Sequence, residues 1–219
     1  MNTSFTSAVE AVIAQLDATN AAREAALVIS RTLIRQCANT IRAIHRREWA
    51  EAEQLLQRAA ATAAELRGPL NTYPAIFHAG YSQDAFKEFA EAHLTFALVR
   101  NHPLPTAAEI QVESAAYLNG LGEAASELRR YLLDSLRRGD TGDCERLLNA
   151  MDEVYSLLVT VDYPDAVTGG LRRTADALRA VLERTRGDLT ATLRQDQLIA
   201  ALRQVEERLE GPEHAGQAS

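Results

Sequence analysis

A chain of 219 residues, 47% hydrophobic and 24% charged, can bury a sizeable core and is of a length for one domain. Its formal net charge of −7 argues against a protein coated in nucleic acid by bulk electrostatics and leaves only a local basic surface for such a role. Cys37 and Cys144 are the only cysteines, too few and too isolated for a disulfide framework or a cysteine zinc site, which points to a reducing, cytoplasmic setting. No basic region followed by an apolar run opens the chain, and no stretch approaches the roughly 18 to 20 apolar residues that span a bilayer, so no membrane partner is expected.

Alanine, leucine, arginine, glutamate and glutamine dominate, while valine and isoleucine are scattered and never alternate over a strand length. This usage predicts an all-α protein. Ser7 followed by Glu10 fits a capping box, and Val9, Val12, Ile13 and Leu16 follow at helical spacing. The pattern continues through Leu27, Ile34 and Ile41 to His45 with no Pro or Gly, predicting one very long N-terminal helix, with Asn20 as the place for a kink. A second helix is expected from Glu48 to Arg67, stopped by Gly68-Pro69. The aromatic, turn-prone segment Tyr73–Tyr81 precedes a third, which Ser82 can cap and which carries Phe86, Phe89, Phe96 and Val99. After the break Asn101–Thr106, Thr106 and Glu109 make a further capping box. Ala115–Leu136 is helical with Gly120 and Gly122 inside it; glycine there costs about 1 kcal/mol relative to alanine, so close backbone packing is expected. Helices follow over Cys144–Thr160 and Leu171–Arg186, then an extra amphipathic segment over Asp188–Leu209. The reading is one domain over 1–210 and a polar, disordered tail over 211–219.

Two patterns carry chemistry. Arg31, Arg35, Arg42 and Arg46 fall within an arc of roughly 60° on the first helix and extend over roughly 22 Å. A solvated helix face explains such a stripe, and so does a track for phosphates, which arginine grips through paired N–H groups. Residues three or four apart share a helix face, so Glu88 with Glu91 form one acidic edge and Glu123 with Glu127 another. On spacing alone exposed faces are the commoner outcome. Converging on each other, the four carboxylates could hold a hard divalent cation, Mg²⁺ or Mn²⁺, for metal-assisted phosphodiester hydrolysis. The Glu-x-x-His pairs of a di-iron bundle are missing, as are a Gly-x-x-x-x-Gly-Lys phosphate loop and a Ser-centred nucleophile elbow.

Taken together, Ser30-Arg31, Thr40-Ile41, His45-Arg46, Tyr81, Glu88-Phe89-Ala90-Glu91-Ala92, Tyr117-Leu118, Gly120 through Ser126-Glu127-Leu128, Arg130 and Gly139-Asp140 resemble the translin family, and more closely its translin-associated factor X branch and prokaryotic translin-like proteins. The resemblance spans roughly residues 23 to 186. It implies a curved bundle of about six to seven helices that assembles into a homo-oligomer, an octamer by preference, around single-stranded RNA, with single-stranded DNA as a possible substitute. It also implies a magnesium-dependent endoribonuclease site. By position Glu88 and Glu91 match the family's Glu-x-x-Glu pair, Glu123 a catalytic aspartate and Glu127 the glutamate four residues later, all four expected as metal ligands. Glu123 departs from the motif by one methylene, which moves its carboxylate by roughly 1 to 1.5 Å, and magnesium is exacting about geometry. Arg31 and Arg46 match family arginines; Arg35, Arg42 and Arg130 complete the expected RNA-binding set. Residues 22–48 hold six arginines against Glu24 and Glu48, the local basicity an RNA-lined interior needs. Two readings remain beside the nuclease, a non-catalytic nucleic-acid binder of the same fold and a helical protein scaffold.

Overall fold

The computed structural model describes residues 3–70 and 72–210, and every regular element among them is a helix. Six are long: α1 (Thr3–Arg46), α2 (Trp49–Leu70), α4 (Gly80–Arg100), α6 (Ser114–Arg137), α7 (Cys144–Leu158) and α9 (Leu171–Glu210). Three single turns lie between them: α3 (Pro74–Phe77), α5 (Ala107–Ile110) and α8 (Asp165–Thr168). The expected tail over 211–219 lies outside the described residues.

Helix α4 is the centre of the bundle. It packs against α6 and α1, and more lightly against α2 and α7. Its buried residues, among them Ser82, Phe86, Phe89, Ala90, Leu94, Thr95 and Val99, go all the way round its axis. A helix enclosed on every side has no polar face to give it amphipathic character, which is why α4 shows little of the usual stripe. Phe86 and Phe89 are 1% and 2% exposed, and truncating either to alanine is the kind of core change that costs about 3–5 kcal/mol. Helices α7 and α9 close the other side of α6.

Small residues and polar clamps set the spacings. A Cβ on Gly120 would lie 2.8 Å from the Lys87 carbonyl oxygen, 2.9 Å from Ala90 Cβ and 3.0 Å from the Glu91 nitrogen, so α6 meets the α4 backbone at a distance only glycine allows. At Gly122 the neighbours are side chains: an added Cβ would lie 2.6 Å from the Thr174 methyl group of α9 and 3.1 Å from Leu158 Cδ1. Asn119 Nδ2 donates to the Ala115 and Thr168 carbonyls at 2.8 Å each, and its Oδ1 accepts from the Thr174 hydroxyl at 2.6 Å. Those bonds hold α8 and the start of α9 to α6. Arg146 of α7 donates to the Leu98 and Val99 carbonyls at 2.9 and 3.1 Å, satisfying acceptors that the end of α4 leaves open. Arg47, at a φ of 62° in the α1–α2 turn, donates to Ser135 Oγ at 2.9 Å and Asp140 Oδ2 at 2.7 Å.

Several local expectations are corrected. Ser7 and Glu10 lie inside α1, which starts by Thr3: nothing in residues 3–6 opposes helix, so the capping pattern has no end to cap. Helix α2 runs through Gly68 and Pro69 to Leu70. Ser82 is no cap either; Ala79 holds that position, and the buried Ser82 hydroxyl donates to the Ile76 carbonyl at 2.8 Å, tying α4 to α3. The segment over Asp188–Leu209 is the second half of one 40-residue helix, because Gly187 costs only about 1 kcal/mol in a helix and stops nothing. Thr106 and Glu109 do form a reciprocal capping box, on the single turn α5.

Both long helices outrun the core. Every side chain over 5–18 of α1 and 194–209 of α9 is exposed. Among them are Phe5, Val9, Val12 and Leu16 on α1 and Leu198, Leu202, Val205 and Leu209 on α9, each set spaced by four, three and four. No helix is long and apolar enough to cross a membrane among the described residues.

Candidate metal centre

The close approach at Gly120 decides where the carboxylates meet. Glu123 stands one turn beyond Gly120 on α6, and Glu88 and Glu91 stand on the stretch of α4 that Gly120 touches. One oxygen from each of Glu88, Glu91 and Glu123 lies within 4.8 Å of the others. The longer arm of Glu123 therefore reaches the α4 pair. Hard oxygen donors in this number and at this separation suit Mg²⁺ or Mn²⁺ better than a softer ion.

Glu91 is the member hardest to explain without a ligand. It is 7% exposed on the central helix, and among the described residues its carboxylate makes no hydrogen bond or ion pair. Burial, followed by the charges of Glu88, Glu123 and Glu127, pushes its pKa up to about 8, against only the opposing pull of Lys87. Burial also raises Glu88, with Lys87 pulling back and Glu123 adding to the rise. A buried carboxylate with no partner is unfavourable unless it is protonated or holds a cation, and the donor set fits a divalent cation. Behind the cluster lies Cys37 of α1, fully buried; its thiol is pushed up by burial first and by Glu88 and Glu91 next.

Glu127 is not part of this group of three. Its Oε2 lies 2.7 Å from Nε2 of His45, whose side chain is 3% exposed. The other ring nitrogen, Nδ1, is buried with no partner among the described residues. Glu127 thus sits one turn along α6, close enough for its charge to bear on Glu91 but held by α1. His45 borders the arginine stripe in sequence, and its contact with Glu127 ties α1 to α6.

The arginines are arrayed as their spacing predicts. Arg31, Arg35, Arg42 and Arg46 are all exposed on α1, and Arg130 is exposed on α6. Arg46 is engaged by Glu48 at 2.5 Å and Glu51 at 3.6 Å, and Arg42 donates to Asn39. Among the described residues Arg31, Arg35 and Arg130 form no ion pair.

Two features escape reasoning from spacing. Lys87 Nζ lies 2.8 Å from Glu123 Oε1 and 3.4 Å from Glu88 Oε1, placing a cation on the cluster itself. Beside it an open cavity of about 790 Å³ is lined by Lys87, Glu123, Gln83, Asp84, Arg173 and Thr174, among others. The signal for Lys87 was present, since it is the only lysine in the chain.

An all-α bundle in which three carboxylates converge from two packed helices, with a row of exposed arginines along its first helix, defines a class of all-helical proteins. Comparison with known proteins makes it specific. The chain is 31% identical to AfC3PO, whose crystal structure it matches with a TM-score of 0.80 over 85% of this chain and 97% of that one. The complex of AfC3PO with duplex RNA matches at 31% identity and a TM-score of 0.75, with the same coverage. Apo-NeC3PO, at 16% identity and a TM-score of 0.77 over 84% of this chain and 96% of that one, shows the fold alone. The uncharacterized protein MJ0175 of Methanocaldococcus jannaschii is 29% identical over 187 residues, 84% of this chain and 82% of that protein. No family model matches. The chain belongs to the translin family.

Proposed function

We propose that the protein is an RNA-binding homo-oligomer, an octamer by family resemblance, that cleaves RNA at a metal-dependent site built on Glu88, Glu91 and Glu123. One observation carries this reading: Glu91, 7% exposed and without a hydrogen bond or ion pair among the described residues, has two further carboxylate oxygens within 4.8 Å of one of its own. Those three side chains would hold Mg²⁺ or Mn²⁺, which supplies neutralising charge for the phosphodiester and acidifies water. Glu127, fixed by His45, completes the acidic wall. Arg31, Arg35, Arg42, Arg46 and Arg130 hold the phosphates and orient the chain, the first two and the last having no carboxylate partner among the described residues. RNA is the favoured ligand because AfC3PO, at 31% identity, is known in complex with it. That RNA is a duplex, whereas the family resemblance points to single strands, so both forms belong in the assay.

Replacing Glu91 and Glu123 together by glutamine keeps shape and hydrogen-bonding capacity but removes two charges. Cleavage of labelled RNA in Mg²⁺ or Mn²⁺ is expected to fall by at least a hundredfold, while filter retention of the RNA stays within about twofold. Undiminished cleavage by this variant sinks the assignment.

A second reading, a non-catalytic nucleic-acid binder of the same fold, is favoured by Lys87, which already neutralises part of the cluster at 2.8 Å from Glu123. It predicts equal RNA retention with no metal-dependent products.

A further inference from the structure

Every strongly basic residue in this chain is arginine except one: of 23 lysines and arginines only Lys87 is a lysine. Among the described residues it is also the only one that pairs with the acidic cluster. Its ammonium lies 2.8 Å from Glu123 and 3.4 Å from Glu88, its side chain is 24% exposed, and it stands in the wall shared by the cluster and the open cavity of about 790 Å³. The choice of cation matters physically. An arginine fork grips carboxylates through two parallel N–H groups and is slow to let go; an ammonium is a compact, strongly hydrated point charge on a flexible stem, held by single contacts. The carboxylates it contacts belong to two of the three residues of the group, so ammonium and divalent cation are mutually repulsive claimants for Glu88 and Glu123.

We propose that Lys87 is a displaceable counter-ion: it neutralises Glu88 and Glu123 while the centre is empty, gives them up on cation binding, and turns into the adjoining cavity to hold a phosphate of the RNA chain. At about 790 Å³ the cavity is of the size that takes a small ligand, and Arg173 on its wall, with an 86% exposed side chain, is a second cation for the same chain. This inference rests on the metal-dependent reading of the cluster. It explains why the one lysine is found here, where an arginine would lock the donors.

The test uses the full-length protein and Mn²⁺ without RNA, following free Mn²⁺ by electron paramagnetic resonance. Lys87→Gln is expected to bind Mn²⁺ roughly tenfold tighter than the wild type and Lys87→Arg several-fold weaker. The rise in melting midpoint on adding Mn²⁺ should be larger in Lys87→Gln than in the wild type, a comparison that holds even where the metal-free variant is less stable. At saturating Mn²⁺, KM for RNA should rise about tenfold in Lys87→Gln and stay near the wild-type value in Lys87→Arg. Equal or weaker Mn²⁺ affinity in Lys87→Gln, or an unchanged KM, overturns the proposal. If the wild type binds Mn²⁺ and Lys87→Gln matches it, only the role of Lys87 falls; if neither binds Mn²⁺, the metal-centre reading falls and this inference with it.

Discussion

Glu91 shows how one side chain couples burial to function. Its carboxyl is raised from 4.5 to about 8, by burial first and by neighbouring carboxylates next. A group whose folded-state pKa is raised binds its proton more tightly in the folded chain. The resulting stability is fully present below the unfolded pKa and is lost as pH rises through the folded one. In EDTA, the wild type should therefore lose stability relative to Glu91→Gln between about pH 4.5 and about pH 8, since glutamine has no proton to lose. Urea denaturation of the two proteins across that range checks this, and a constant difference between them contradicts it. The pair Glu88 and Glu91 was legible from spacing, because i and i+3 share a face of any helix. That Glu91 is buried was not, because burial depends on α4 being enclosed by α1, α2, α6 and α7. The place of Lys87 on the cluster was not legible from spacing, because it too depends on how α4 and α6 pack; its being the only lysine was the available clue. His45 was legible as the neighbour of the arginine stripe, but its bond to Glu127 joins residues 82 apart in sequence.

At the scale of elements, the centre is a property of the α4–α6 packing. Gly120 in the sequence predicts close backbone approach, and the structure puts that contact against Lys87, Ala90 and Glu91. Gly120→Ala places a methyl group 2.8 Å from a backbone oxygen, and backbone cannot rotate aside as a side chain can. The helices must separate, at a cost of about 1–3 kcal/mol. The expected outcome is a lower melting midpoint together with weaker Mn²⁺ binding, because Glu123 is carried away from Glu88 and Glu91. Gly187→Ala serves as the comparison: nothing lies within 4 Å of the added Cβ, and a helical glycine replaced by alanine gains up to about 1 kcal/mol. If Gly120→Ala were as stable and bound Mn²⁺ as well as the wild type, glycine would not be what sets the centre. The elements themselves were mostly legible, since composition and period predict each long helix. Their ends were less so: Ser7-x-x-Glu10 and Ser82 have capping chemistry but no helix end to act on, and Gly187 is too weak a breaker for a helix anchored by Leu178, Leu182 and Leu189, each at most 1% exposed.

For the whole molecule, charge and surface point the same way. A chain of net charge −7 keeps a basic face on α1, and the exposed ends of α1 and α9 show apolar residues that this chain alone leaves in water. The homo-oligomer proposed above would cover such faces and enclose the basic ones. The all-α architecture was legible because periodicity reports it directly. The meeting of Glu88, Glu91 and Glu123 was legible only through family resemblance, since their residue numbers say nothing of how α4 and α6 pack. The central claim is that this acidic centre cleaves RNA with the help of a divalent cation. It is tested most directly by incubating wild-type protein with end-labelled RNA, single-stranded and duplex, in EDTA, Mg²⁺ or Mn²⁺, and resolving the products. The account predicts RNA retained in all three conditions and cut only with Mg²⁺ or Mn²⁺; cleavage that persists in EDTA, or retention with no products in either metal, would contradict it.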